Sequence, residues 1–139
     1  MFDPRRVPAV SATEAYQRLE AAGAPVAAGG TEAAGGTEAT ERPILVDVRE
    51  PHEFVKVRAE GAALLPLSTF VLRHVALRQD QPILMICNSG ARSAQATAYL
   101  LANGWTDVTN VAGGTIAWLQ AGLPAHHGPL EPGDGDLTA

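Results

Sequence analysis

The chain has one cysteine, Cys87, placed after the apolar run Ile83–Ile86 and before a small polar loop, Asn88-Ser89-Gly90-Ala91-Arg92. A single thiol cannot form an intramolecular disulfide, and no second cysteine exists for a zinc knuckle or a CxxC redox pair. Three uses remain: a small apolar filler, half of an intermolecular bridge, or a one-thiol nucleophile. Taken alone, a free cysteine is most often buried filler. The residues after Cys87 shift the reading to a nucleophile, because core packing does not call for Ser-Gly-Ala-Arg beyond a strand. The N–H groups of residues 88–92 precede a helix predicted from Ser93, so a helical ladder cannot satisfy them all. Gly90 lets them curl into a nest around the sulfur. Inward N–H dipoles, the positive helix end and the Arg92 guanidinium all favour thiolate over thiol. Thiols in such settings have pKa values of roughly 3.5–7.5, and a nucleophile activated this way needs no separate histidine base.

Such a loop has to be carried by a scaffold, and the sequence supplies one. Ile44–Val48 is an aliphatic run, interrupted only by Asp47, of the kind buried on both faces of a parallel sheet. Ile83–Ile86 and Val108–Val111 read as further strands, and Ala62–Leu65 as a weaker one. Between them lie helical patterns. Ser11 is placed to cap a first helix ended by Gly23, with Glu14 completing a capping box. Pro51 opens a short helix, and residues 68–77 favour another. Residues 93–103 form the next, with Gly104 at its C′ position, and a last helix ends at Gly122. Alternating strands and helices imply an α/β fold with a parallel sheet and helices on both faces. In such sheets ligands lie beyond the carboxyl ends of the strands, where Cys87 stands.

One domain is expected over residues 9–124, after a short extension at 1–8. A Gly/Ala/Thr/Glu-rich insertion at about 24–42 contains AAGGTE twice in tandem, from Ala27 to Glu38, and reads as a surface loop. Residues 125–139 carry three acids and no Lys or Arg, and read as an acidic disordered tail. The net charge of −5 disfavours nucleic-acid binding, which needs a basic face. No apolar run approaches the roughly 20 residues that span a bilayer, and no secretory signal is apparent, so a cytoplasmic protein without membrane partners is expected. His126 and His127 are adjacent but have no further ligands at metal spacing, so no metal site and no cofactor are expected. Trp118 reads as a core residue, and Gly113 and Gly114 as the hinge of a tight strand-to-helix turn.

Three segments in order, LVDVREPHEF, CNSGARSAQATAYLLANGW and NVAGGTIAWLQAGLP, resemble the rhodanese sulfurtransferases from about Ser11 to Pro124, interrupted by the glycine-rich insertion. The resemblance implies a three-layer sandwich with a central parallel five-stranded sheet. It implies that Cys87 takes sulfane sulfur from a small-molecule donor such as thiosulfate or a persulfide. The sulfur is then passed to cyanide, a thiol or a protein cysteine. It also implies that the amides of Asn88, Ser89, Gly90, Ala91 and Arg92 cradle that sulfur. Asp47 and Arg49 resemble the family's Asp-x-Arg pair, equally readable as a structural ion pair. Phosphatases with a related cradle use C-x5-R, whereas Cys87 and Arg92 form C-x4-R, a narrower ring suited to one sulfur atom. Two departures stand out. Asn88 occupies a position where the family often has arginine, which removes one charge that would attract an anionic donor. Arg58 falls in a stretch where the family commonly reads Gly-His-Ile-x-Gly-Ala; it is expected as a solvated surface side chain or as replacement polarity near the pocket. A sulfur-carrier or interaction module without efficient small-molecule turnover is the alternative reading.

Overall fold

The computed structural model describes residues 3–23 and 42–137. The tandem AAGGTE repeat and nearly all of the expected insertion lie outside those residues. Five parallel strands form the central sheet: β1 (Ala9–Val10), β2 (Ile44–Asp47), β4 (Ala63–Leu64), β5 (Ile83–Ile86) and β6 (Val108–Val111). Their order is β1-β6-β5-β2-β4, with every neighbouring pair parallel. A short antiparallel pair, β3 (Arg58–Ala59) with β7 (Ala125–His126), stands outside it. The helices are α1 (Ala12–Gly23), α2 (Pro51–Lys56), α3 (Phe70–Arg73), α4 (Ala91–Ala102) and α5 (Gly114–Gln120).

The pleat explains why β5 is apolar throughout. Successive side chains of β5 point to opposite faces, and both faces are covered. Ile83, Met85 and Cys87 join Val46, Val48, Ala96 and Leu100 on the α4 side, while Leu84 and Ile86 join Leu45, Ala15, Phe54 and Trp118 on the α1, α2 and α5 side. The sheet is thus the middle of three layers, as expected. Trp118 is fully buried in the second layer and donates its Nε1–H to the Pro124 carbonyl.

Local chemistry sets the helix boundaries. Ser11 Oγ accepts from Glu14 N–H, the expected cap, whereas the Glu14 carboxylate turns outward to Arg18 instead of closing a box. The helix expected at residues 68–77 is broken into a 3-10 turn (Leu67–Thr69), α3 and a second 3-10 turn (His74–Ala76). Phe70 and Leu77 are buried there, while Val71, Leu72 and Val75 are exposed. Two anchors seven residues apart do not impose one continuous helical face.

Residues 125–137 depart most from the sequence expectation, because they fold back onto the domain rather than forming a disordered tail. After β7, Gly128 N–H bonds to Val55 O, Gly135 O accepts from Leu64 N–H beside the edge strand β4, and Leu137 packs against the core. The cause is Arg58. It is 5% exposed, neither solvated nor turned to the cysteine loop. Its guanidinium donates to the carbonyls of Phe54, Val55, Gly128 and Pro129 and pairs with Asp134 at 3.3 Å. A buried cation requires such acceptors, and this polar segment provides three of them. Replacing Arg58 with methionine, which keeps the stem's bulk, is expected to lower the unfolding free energy by about 2 kcal/mol and to speed amide exchange across 125–137. Denaturant midpoints at constant slope, with exchange read by mass spectrometry, check both; an unchanged 125–137 segment would contradict the assignment.

Candidate active site

Cys87 follows β5 at its carboxyl end and is 1% exposed, beneath the exposed residues Asn88 and Ser89. Its sulfur accepts a hydrogen bond from Gly90 N–H at 3.1 Å and lies 3.3 Å from Ser93 Oγ. Burial is the largest single influence on the thiol and opposes its ionisation. The Ser93 hydroxyl and the N–H groups of Ser93, Gly90 and Ser89 together outweigh it and hold the thiol below its ordinary pKa. Hydroxyl and backbone donors of the loop thus ease ionisation of the thiol.

Two helix starts shape this loop. α4 begins directly after Gly90, which caps it with φ at 106°, a left-handed conformation that glycine adopts without strain. α5 begins at Gly114, and its first amides grip the other side of the loop. Thr115 N–H and Oγ1–H both bond to Cys87 O, at 2.8 and 3.1 Å, and Ile116 N–H bonds to Asn88 O at 3.1 Å. With the Asn88 carbonyl drawn toward α5, the Ser89 N–H of the same peptide unit is turned toward the sulfur. Gly114 does more than make a turn: a Cβ there would overlap the carbonyl oxygens of both Cys87 and Asn88. A side chain at position 114 would therefore force the cradle apart.

Arg92 does not aim its charge at the sulfur. It forms a bidentate pair with Glu53, both bonds at 2.9 Å. Glu53 also accepts from Glu50 N–H, so the α2 start and the α4 start are clasped together. The Arg92 hydrogen bonds are the main reason that the Glu53 carboxyl is lowered to about 2. Asp47 and Arg49 support this clasp from below. Asp47 is 0% and Arg49 2% exposed, and Arg49 binds both Asp47 oxygens while donating to the carbonyls of Glu53 in α2 and of Val57 just after it. Burial raises the Asp47 carboxyl, and its hydrogen bonds to Arg49 counter this. The hydrogen bonds of the Asp47–Arg49 pair thus run to each other and to α2, which carries Glu53. Glu50 completes the rim, accepting from Ser68 N–H and Oγ–H.

Glu53, Ser93, Asn110 and Thr115 belong to this site, although the sequence reading passed over them. Ser93 was visible as the residue after Arg92. The others are brought in by tertiary contacts from α2, β6 and α5. Among the described residues no cluster of three potential metal ligands occurs, and no helix is long and apolar enough to cross a membrane.

This combination, the central strand of a five-stranded parallel sheet delivering one cysteine from its carboxyl end into a C-x4-R loop, defines a class. A family model for the rhodanese-like domain matches residues 31–121, more than half of the chain, and the chain belongs to that family. It is 41% identical over 85 residues to a sulfurtransferase of Allochromatium vinosum, covering 61% of this chain and 79% of that protein. It is 38% identical over 80 residues to the thiosulfate sulfurtransferase GlpE of Vibrio cholerae, covering 58% and 76%. The rhodanese-related protein of Thermoplasma volcanium shares the fold with a TM-score of 0.67 at 24% identity, over 86% of this chain and 97% of that one. A rhodanese-like domain protein of Staphylococcus aureus gives 0.61 at 26%, over 80% and 90%.

The clasp has a pH signature. A carboxylate lowered from 4.5 to about 2 contributes stability that is full above pH 4.5 and is lost as pH falls toward 2. Glu53→Gln lacks this titration. Its denaturant midpoint is expected to fall less steeply than the wild type's across that window, and parallel slopes would contradict the clasp.

Proposed function

We propose that the protein is a sulfurtransferase that moves sulfane sulfur through a persulfide on Cys87. The observation that carries this reading is the cradle itself: a buried sulfur held by Gly90 N–H and Ser93 Oγ in a ring of five residues closed by Arg92. The Cys87 thiolate attacks the outer sulfur of the donor, forming a new S–S bond. The donor's own S–S bond breaks, and its electron pair leaves with the remnant, sulfite from thiosulfate or a thiolate from a persulfide. The outer sulfur now carries the negative charge and sits over the loop, where the amides of residues 88–92 stabilise it. A thiophilic acceptor, whether cyanide, a thiol or a protein cysteine, attacks that sulfur and returns Cys87 as thiolate. Each step exchanges one S–S or S–C bond for another, so no cofactor or metal is required. A reduced single thiol suits the cytoplasm.

The donor class follows from charge. Asn88 brings none to the mouth of the loop, and the one cation within the loop, Arg92, is neutralised by Glu53. A persulfide carrying one negative charge is therefore a better match than dianionic thiosulfate. Incubation with thiosulfate or with a low-molecular-weight persulfide, followed by intact-protein mass measurement, tests the reading. Wild type is expected to gain one sulfur, faster from the persulfide, and Cys87→Ser none. No mass gain from either donor, or equal gain on the serine variant, would refute it.

A further inference from the structure

The site contains a buried side chain that the transfer chemistry does not use, Asn110 on β6. It is 6% exposed and lies beneath the cradle. Its Nδ2 donates to Gly90 O at 3.1 Å, which fixes the carboxamide so that Oδ1 faces Ser93. Ser93 Oγ is 2.5 Å from that oxygen, and 3.3 Å from both the Cys87 sulfur and Gly90 O. A hydroxyl has one proton to give and two lone pairs with which to accept. Asn110 Oδ1 and a Cys87 thiolate therefore compete for the same proton.

We infer that Asn110 is a positioning residue that sets how readily Cys87 ionises, by holding or releasing the Ser93 hydroxyl proton. In the resting thiol, Ser93 O–H donates to Asn110 at the shorter distance, and the Cys87 S–H donates to the free lone pair of Ser93. When the thiol proton leaves to solvent, the Ser93 hydroxyl rotates and donates to the thiolate. Once Cys87 carries an outer sulfur, its inner sulfur is neutral and the hydroxyl proton returns to Asn110. The hydroxyl therefore follows the charge on the inner sulfur through the cycle. The inference rests on Cys87 being the sulfur-accepting thiolate, but its readout, ionisation of the thiol, does not depend on whether sulfur is transferred.

The sign of the shift separates this role from a merely structural one. The pH dependence of Cys87 alkylation by iodoacetamide gives the thiol pKa for each variant. Ser93→Ala removes a donor to the thiolate, and the pKa is expected to rise by about one unit. Asn110→Leu, of similar size, removes the competing acceptor, and the pKa is expected to fall by about one unit. Gly90 O keeps its bond from Ala94 N–H in that variant. In the Ser93→Ala background, Asn110→Leu is expected to have no further effect. If Asn110 served only to brace Gly90, its loss would loosen the cradle and raise the pKa, so a rise or no change in Asn110→Leu overturns the inference. The charged groups around the loop, Arg92 with Glu53 and the Asp47–Arg49 pair, are the same in all these variants. Should Asn110→Leu not fold, Asn110→Asp takes its place: the pKa rise is larger with the Ser93 hydroxyl present than without it, and an equal rise in both backgrounds overturns the inference.

Discussion

The carbonyl oxygens of Cys87 and Asn88 are bound by the first amides of α5, and the rest of the site depends on that attachment. A peptide unit cannot turn its oxygen one way without turning its N–H the other. Drawing the Asn88 carbonyl toward α5 turns the Ser89 N–H of the same peptide unit toward the sulfur, where Gly90 N–H joins it. The second helix start, at α4, sets the opposite wall. A buried sulfur would on its own favour the neutral thiol, so burial and activation conflict here, and fixed dipoles resolve the conflict. Those dipoles need no rearrangement when charge appears, which is the condition under which they act most strongly.

The charged side chains have a different task. Arg92 and Glu53 hold each other, Arg49 holds Asp47 and the end of α2, and Arg58 holds the chain's C-terminal segment. Each of these three arginines organises backbone or a partner acid. The buried surroundings of the sulfur are therefore governed by backbone N–H groups and by Ser93 and Asn110, and Arg92 is tied to Glu53.

Much of this was legible in the sequence, for physical reasons that differ by element. Ile44–Asp47, Ile83–Ile86 and Val108–Val111 are buried on both faces, so their composition alone announces strands. The cysteine loop was legible because Gly90 and the run into an alanine-rich helix make no sense as core. β1 and the β3–β7 pair were not, since two residues carry no periodicity. The C-terminal segment was misread because Gly, Pro and Asp also mark disorder, and its order comes from a cation seventy residues away in the chain. Glu53 and Asn110 look unremarkable in sequence, since each gains its role from the one loop that the fold brings against it.

The central claim is that the loop's donors hold the Cys87 thiol below its ordinary pKa. Its most direct test is the rate of Cys87 alkylation as a function of pH in the wild-type protein. The account predicts a single ionisation below the value of roughly 8.5 typical of a free cysteine. An ionisation at or above that value would contradict it.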